Sequence, residues 1–427
     1  METIKILLMI LMTTIGSLSA QTSTLDSLIS TAIRVSPKLK MLQAKVDASR
    51  NRIEENSNLP DPMLTLGLMN LPTNSFSFNQ EPMTGKVIGI SQSFPYPGKL
   101  SAVADVAVSD VGIVKEEYND SKNEIKKNVS QAYYNLLFVR ESISIVEESK
   151  KLLQSIAQVV RTKYSVSTAS QQNLLKVELE ITEVNDQLDD LRSKEQEQLS
   201  ILNSYLLKDP ASEIQTRDTT NIEFLKISKE ELDSLAVQNR PFLKGLIIAE
   251  EKAKLQENLA QYGHYPNFNL SVQYSQRDKL AKTNMDQPDF FSVMVGISLP
   301  LNYGGKVTSK IDEAISMQEL YQQQYSSALQ TLNSSFGTSI AKLNSLEERI
   351  KLSSTGLLPQ ANQNLTSALS SYQVGQIDFL NVIDAQNKLY QIGTNLAKLR
   401  YEYLKEVTNL EFLVGSSLTN EFNKIEK

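Results

Sequence analysis

The sequence predicts a mainly α-helical chain with a small β part, laid out as two tandem copies of helix, β-hairpin, very long helix, helix. Three observations predict it. Gly89 to Lys99 read GISQSFPYPGK, and Gly296 to Lys306 read GISLPLNYGGK. Short segments near each phrase alternate apolar and polar residues, the period of a strand with one apolar face. The long stretches between them step their apolar residues by three and four, the period of a packed helix.

The repeat comes first, because a missed repeat misreads the whole chain. Gly89 and Gly296 are 207 residues apart, and Ile90, Ser91, Tyr96, Gly98 and Lys99 recur at the same offset. Downstream, YSVSTASQQNLLKVE from Tyr164 matches YQVGQIDFLNVIDAQ from Tyr372 at an offset of 208. Upstream, Leu28, Ala32, Pro37 and Leu39 match Leu232, Ala236, Pro241 and Leu243 at an offset of 204. The first copy is placed at 21–210 and the second at 228–415, with a connector over 211–227 and a tail over 416–427.

The elements follow in order. Residues 1–20 pair an apolar run, Ile6 to Leu18, with the small residues Ser19 and Ala20, the pattern of a secretory signal peptide. A helix is predicted over 25–57, strands over 62–71 and 85–95, and helices over about 99–164 and 170–206. The second copy repeats this: a helix over 228–262, strands over 266–276 and 289–300, and helices over about 306–372 and 377–412. Phe268, Leu270, Val272 and Tyr274 alternate with polar residues, as do Phe291, Val293, Val295 and Ile297, and Leu64, Leu66 and Leu68. At about ten residues such a strand crosses a bilayer at a tilt. Leu396, Leu399, Tyr403, Val407 and Leu410 mark a coiled-coil seam, as do Leu365, Leu369 and Tyr372. A helix of some 65 residues extends roughly 100 Å. Pro359 is expected to break or kink the second long helix, since it lacks the N–H and crowds the preceding turn.

Composition narrows the chemistry. The chain has 427 residues, no Cys, no Trp and a single histidine, His264, with a net charge of -6. Thiolate metal sites and thiol nucleophiles are excluded, and His264 has no partner at ligand spacing. The acidic balance argues against nucleic acid. There is no phosphate-binding loop of the G-x-x-x-x-G-K-[ST] kind, so the chain does not drive transport itself. Beyond residue 20 no run of about 18 apolar residues spans a membrane as a helix. No enzyme and no cofactor is expected.

The tandem repeat, the corner SQSFPYPGK and YQVGQIDFLNVIDAQNKLY over 372–390 resemble the TolC-like outer-membrane efflux proteins, across essentially the whole mature chain. That resemblance implies a homotrimer. Each protomer gives four strands to a twelve-stranded outer-membrane barrel, continuous with a helical tunnel through the periplasm, and trimerisation removes every sheet edge. The implied role is the exit duct for an inner-membrane pump, of the resistance–nodulation–division class, joined through a periplasmic adaptor. Pro97, Gly98, Gly304 and Gly305 serve the strand-to-helix corners, and Lys99 and Lys306 lie at their polar boundary.

By the same resemblance, the adaptor-docking tips are Val166-Ser167-Thr168 and Val374-Gly375-Gln376, with Ser167 standing where the second copy has glycine and predicting a looser turn. Asp384 belongs to a periplasmic gate, with Asn381 one turn nearer the tip and Lys176, its counterpart in the first copy, placed to pair with it. Three symmetry-related carboxylates repel one another and attract cations. The segment LPDPMLTLGLMNLP resembles the heavy-metal branch of the family, where Met63, Met69 and Met83 are soft donors for Cu(I) or Ag(I). The simpler reading makes them strand and loop residues. Drug efflux, metal efflux and type I protein secretion stay open, as does a non-channel coiled-coil surface protein.

Overall fold

A computed structural model describes residues 24–216 and 222–418. The expected signal peptide lies outside them, as do parts of the connector and of the tail. In the first copy the elements are α1 (Leu25–Val35), α2 (Pro37–Ser57), β1 (Met63–Met69), β2 (Gly85–Phe94), α3 (Lys99–Ser165) and α4 (Gln171–Leu206). In the second they are α5 (Lys229–Asn239), α6 (Pro241–Gln261), β3 (Phe268–Gln276), β4 (Phe290–Ile297), α7 (Lys306–Leu352), α8 (Leu358–Gln373) and α9 (Phe379–Val414).

Two expectations are corrected by proline. The single helices expected over 25–57 and 228–262 are each two. Proline disfavours the α conformation in the residue before it. Ser36 (φ -51, ψ 119) and Arg240 (φ -69, ψ 116) accordingly leave the helix just before Pro37 and Pro241. Pro359, by contrast, does not break its helix. The π turn Ser353–Leu357 joins α7 to α8 without leaving helical backbone, so one helical path runs from 306 to 373. It is one residue longer than the 67-residue α3. A π turn seats an extra residue and widens the ladder where the proline ring would crowd a carbonyl. It also accounts for the drift of the repeat offset from 207 to 208.

The strands form one antiparallel sheet in the order β1-β2-β3-β4. Leu64, Ile90, Val272 and Val293 make one cross-strand row, and Leu66, Ile88, Tyr274 and Phe291 the next. Cross-strand partners share a face, so both rows lie on one apolar side. Leu66 and Phe291 are about 70% exposed, at 71% and 69%. β1 is shorter than the expected 62–71, at 7 residues, because Asn70 takes a left-handed turn (φ 52). β4 ends at Ile297 rather than 300, ahead of Pro300, which has no N–H to give a ladder.

Contacts divide the chain into two units that cut across the repeat. One comprises Lys40–Asn119 and Pro241–Gln330 and holds the sheet with the helix segments that flank it. At its first strand-to-helix corner Tyr96 stacks on Tyr265 at 4.5 Å. Gly98 (φ 89) is required there, since a Cβ would stand 2.7 Å from the Tyr262 hydroxyl.

The other unit includes Asp120–Arg240 and the described residues from Thr331 onward. Its core is helical, with Leu136, Leu202, Leu232 and Leu410 all buried. Leu396, Leu399, Tyr403 and Leu410 of the expected seam are buried, but Val407 is only half-buried and its neighbour Glu406 lies inside. Glu406 is held there by Ser339 Oγ at 2.6 Å, Lys342 Nζ at 2.7 Å and Asn409 Nδ2 at 3.2 Å. The described ends of the connector are tied to the same unit. Arg140 donates to the Ile214 carbonyl at 2.7 Å, and the Leu225 N–H donates to Tyr403 Oη at 2.6 Å.

Candidate functional site at the helix turns

The helical unit ends in two hairpin turns, one joining α3 to α4 and one joining α8 to α9. They are built alike. The Ser167 N–H donates to the Tyr164 carbonyl at 3.0 Å and the Thr168 N–H to Lys163 at 2.8 Å. The Gly375 N–H donates to Tyr372 at 3.1 Å and the Gln376 N–H to Ser371 at 2.9 Å. Ser167 and Gly375 both take positive φ, 59° and 78°, the conformation that closes a helix C-terminus. The looser first turn expected from serine is therefore not found. Its hydrogen bonds compensate the strain of a side chain in the left-handed region. Each hairpin re-enters helix on a matched cap: Ser170 Oγ accepts from the Asn173 N–H at 3.4 Å, and Asp378 Oδ1 from the Leu380 N–H at 3.2 Å.

Behind the turns four helices share one core. Leu153, Ile156 and Val160 of α3, Val177 of α4, Leu365 and Tyr372 of α8, and Phe379 and Val382 of α9 pack together. Tyr372 sits in it with its ring 5.4 Å from Phe379, whereas its repeat partner Tyr164 is 43% exposed. The turns themselves are bare. Val166, Ser167, Thr168, Val374, Gly375 and Gln376 are all exposed. Leu175, Leu179 and Leu380 are exposed as well. These three leucines were missed in the sequence, although Leu175 and Leu179 stand off the seam Leu174, Val177, Ile181, Val184 that packs inward. One turn apart on α4, they form an apolar ridge beside the tip.

The expected gate residues fall on two helices. On α9, Asn381 and Asp384 are exposed and share a face, while Val382, Ile383 and Ala385 face the core. On α4, Lys176 gives its ion pair to Glu180 at 2.8 Å, not to Asp384. Glu180 is close to fully buried and also receives the Asn387 amide of α9 at 3.5 Å. The bond and charge of Glu180 hold the Lys176 ammonium above its ordinary value, with Glu183 and Asp384 adding less. Glu180 was not singled out from sequence, because an acid four residues after a lysine reads as an ordinary solvated helix pair. Nearby, the buried Gln386 amide donates to Ser149 Oγ and ties α9 to α3.

The three methionines do not meet at one point. Met63 and Met69 stand at opposite ends of β1, six residues apart, which is about 20 Å of strand. Met83 lies beyond β1, its carbonyl accepting from Asn70 at 3.1 Å. Met63 therefore shares no ion with Met69. His264 closes a short 3-10 turn after α6. No group of three or more His, Cys, Asp or Glu placed to hold a metal occurs among the described residues. No described helix is long and apolar enough to cross a membrane.

The sequence profile described as outer membrane efflux protein matches residues 28–206 and 232–416. Over 404 residues the chain is 23% identical to the outer membrane protein TolC of Vibrio cholerae, covering 89% of this chain and 88% of that one. It is 20% identical over 325 residues to the cobalt-zinc-cadmium resistance protein CzcC of Cupriavidus metallidurans, covering 71% and 69%. The fold matches the crystal structure of the outer membrane protein VceC from Vibrio cholerae with a TM-score of 0.75 at 18% identity, over 92% of this chain and 96% of that one.

Proposed function

This chain belongs to the outer membrane efflux protein family, and we propose that it acts as a homotrimer, the outer-membrane exit duct of a tripartite efflux system. Cargo passes to it from an inner-membrane pump of the resistance–nodulation–division class through a periplasmic adaptor. The observation that carries the reading is the sheet. Its edge strands β1 and β4 have no neighbour beyond them among the described residues, and its apolar rows are open. Unpaired backbone groups are costly in hydrocarbon, so such a sheet needs closure. Three copies supply twelve strands, enough for a closed barrel in lipid. The exposed turns and the ridge Leu175–Leu179 supply the adaptor's docking surface. The similarity to CzcC supports a heavy-metal cargo.

Crosslinking of the detergent-solubilised protein is expected to give a ladder ending at three chains, and a monodisperse monomer without detergent would overturn the assembly. Leu175→Ser with Leu179→Ser is expected to leave the trimer intact and to abolish capture of the adaptor and export. Normal export by that variant would move docking elsewhere.

A further inference from the structure

The unit that holds the sheet carries a groove of about 740 Å³ beside the second strand-to-helix corner, within the size range of small-molecule sites. Its floor is apolar, made by Val103 of α3, Leu259 of α6, and Val307 and Met317 of α7. Lys99, Lys306 and Lys310 also line it, against one carboxylate, Glu313. None of the three lysines forms an ion pair among the described residues. Lys45, Lys252 and Lys254 of the same unit each rest on a carboxylate. Lys99 and Lys306 are the repeat-related ends of the phrases GISQSFPYPGK and GISLPLNYGGK, so both copies of the motif contribute a lysine to one groove.

Along β4, Phe291, Val293, Val295 and Ile297 occupy the apolar face, and Ser292, Met294 and Gly296 the other. Past the strand the alternation ends, since the Leu301 N–H donates to the Leu299 carbonyl and Asn302 turns left-handed (φ 45), and Pro300 and Asn302 line the groove. Leu299 and Leu301 are 74% and 77% exposed and do not line it.

We infer that this groove binds an amphipathic organic anion, a carboxylate or sulfonate carried on an apolar body. The apolar floor takes the body, and the surplus of ammonium groups takes the head, an attraction that strengthens as the apolar wall excludes water. The inference rests on the exit-duct reading for the groove's place on the cargo path, while its binding chemistry stands on the lining residues. It assigns the duct a wall site for anionic cargo, filled from solution and emptied by the flow.

Calorimetric titration of the trimer, in nanodiscs of zwitterionic phosphatidylcholine, compares naphthalene-2-sulfonate with the neutral naphthalene-2-sulfonamide. The expected result is saturable binding of one sulfonate per chain and at least tenfold weaker binding of the sulfonamide. Lys306→Gln with Lys310→Gln is expected to weaken the sulfonate tenfold or more, and Lys306→Arg with Lys310→Arg to retain it. Equal affinity for the two probes, or wild-type affinity in the glutamine variant, overturns the site. Absence of saturable binding in the wild-type trimer also overturns it, and is the result expected if a second copy fills the groove. Loss of binding in a chain that still supports export leaves the duct reading standing, and intact binding in a chain that supports none sinks only the duct reading.

Discussion

Ser167 and Gly375, 208 residues apart, hold the same place in the same turn: each takes positive φ and donates its N–H to the carbonyl three residues back. The position is set by the backbone, and only one of the two copies uses the residue that adopts it freely.

This asymmetry predicts opposite outcomes for two substitutions. Ser167→Gly removes a side chain from the left-handed region and is expected to stabilise the turn by up to about 1 kcal/mol, with export unchanged. Gly375→Val places a β-branched residue where φ is 78° and is expected to abolish export while the trimer still assembles. Thermal denaturation of the purified trimer, alongside export assays in cells, checks both. Export that survives Gly375→Val would remove the second turn from the docking surface.

The gate expected at Asp384 is tested through which acid Lys176 holds. Because its ammonium is on Glu180, Asp384 keeps an exposed carboxylate. Asp384→Ala is therefore expected to raise single-channel conductance in planar bilayers and to weaken block by multivalent cations. Lys176→Met is expected to leave both nearly unchanged, since its ammonium rests on Glu180 and not on Asp384. Unchanged conductance and block in the assembled Asp384→Ala trimer would make Asp384 an ordinary surface residue.

Glu406 gives the helical unit a pH signature. Burial pushes its carboxyl up, but the bonds from Lys342, Ser339 and Asn409 outweigh burial and hold it below the ordinary carboxylate value. A carboxyl depressed in the folded state stabilises fully above its unfolded value of about 4.3 and loses that contribution as pH falls through the folded one. Glu406→Gln is expected to cost about 1–3 kcal/mol at pH 7. The gap to wild type should close as pH falls below about 4. Melting curves from pH 7 to pH 3 test this, and a pH-independent gap would show that packing, not charge, holds the residue.

Much of the architecture was legible from one chain. The repeat, the alternating strands and the three-four helical seams are periodicities, and periodicity survives in sequence because each residue's face depends only on its place along its own element. Ser167 and Gly375 were locatable as turns for the same reason. What the sequence alone did not decide is what crosses between elements. The π turn that absorbs the residue inserted before Pro359, the pairing of Lys176 with Glu180, the burial of Glu406 beside a half-exposed Val407, and the meeting of Lys99 with Lys306 in one groove all depend on which helix packs where. A lysine that aligns with an aspartate by repeat register pairs with the carboxylate its rotamers reach, and only the packed helices determine which one that is.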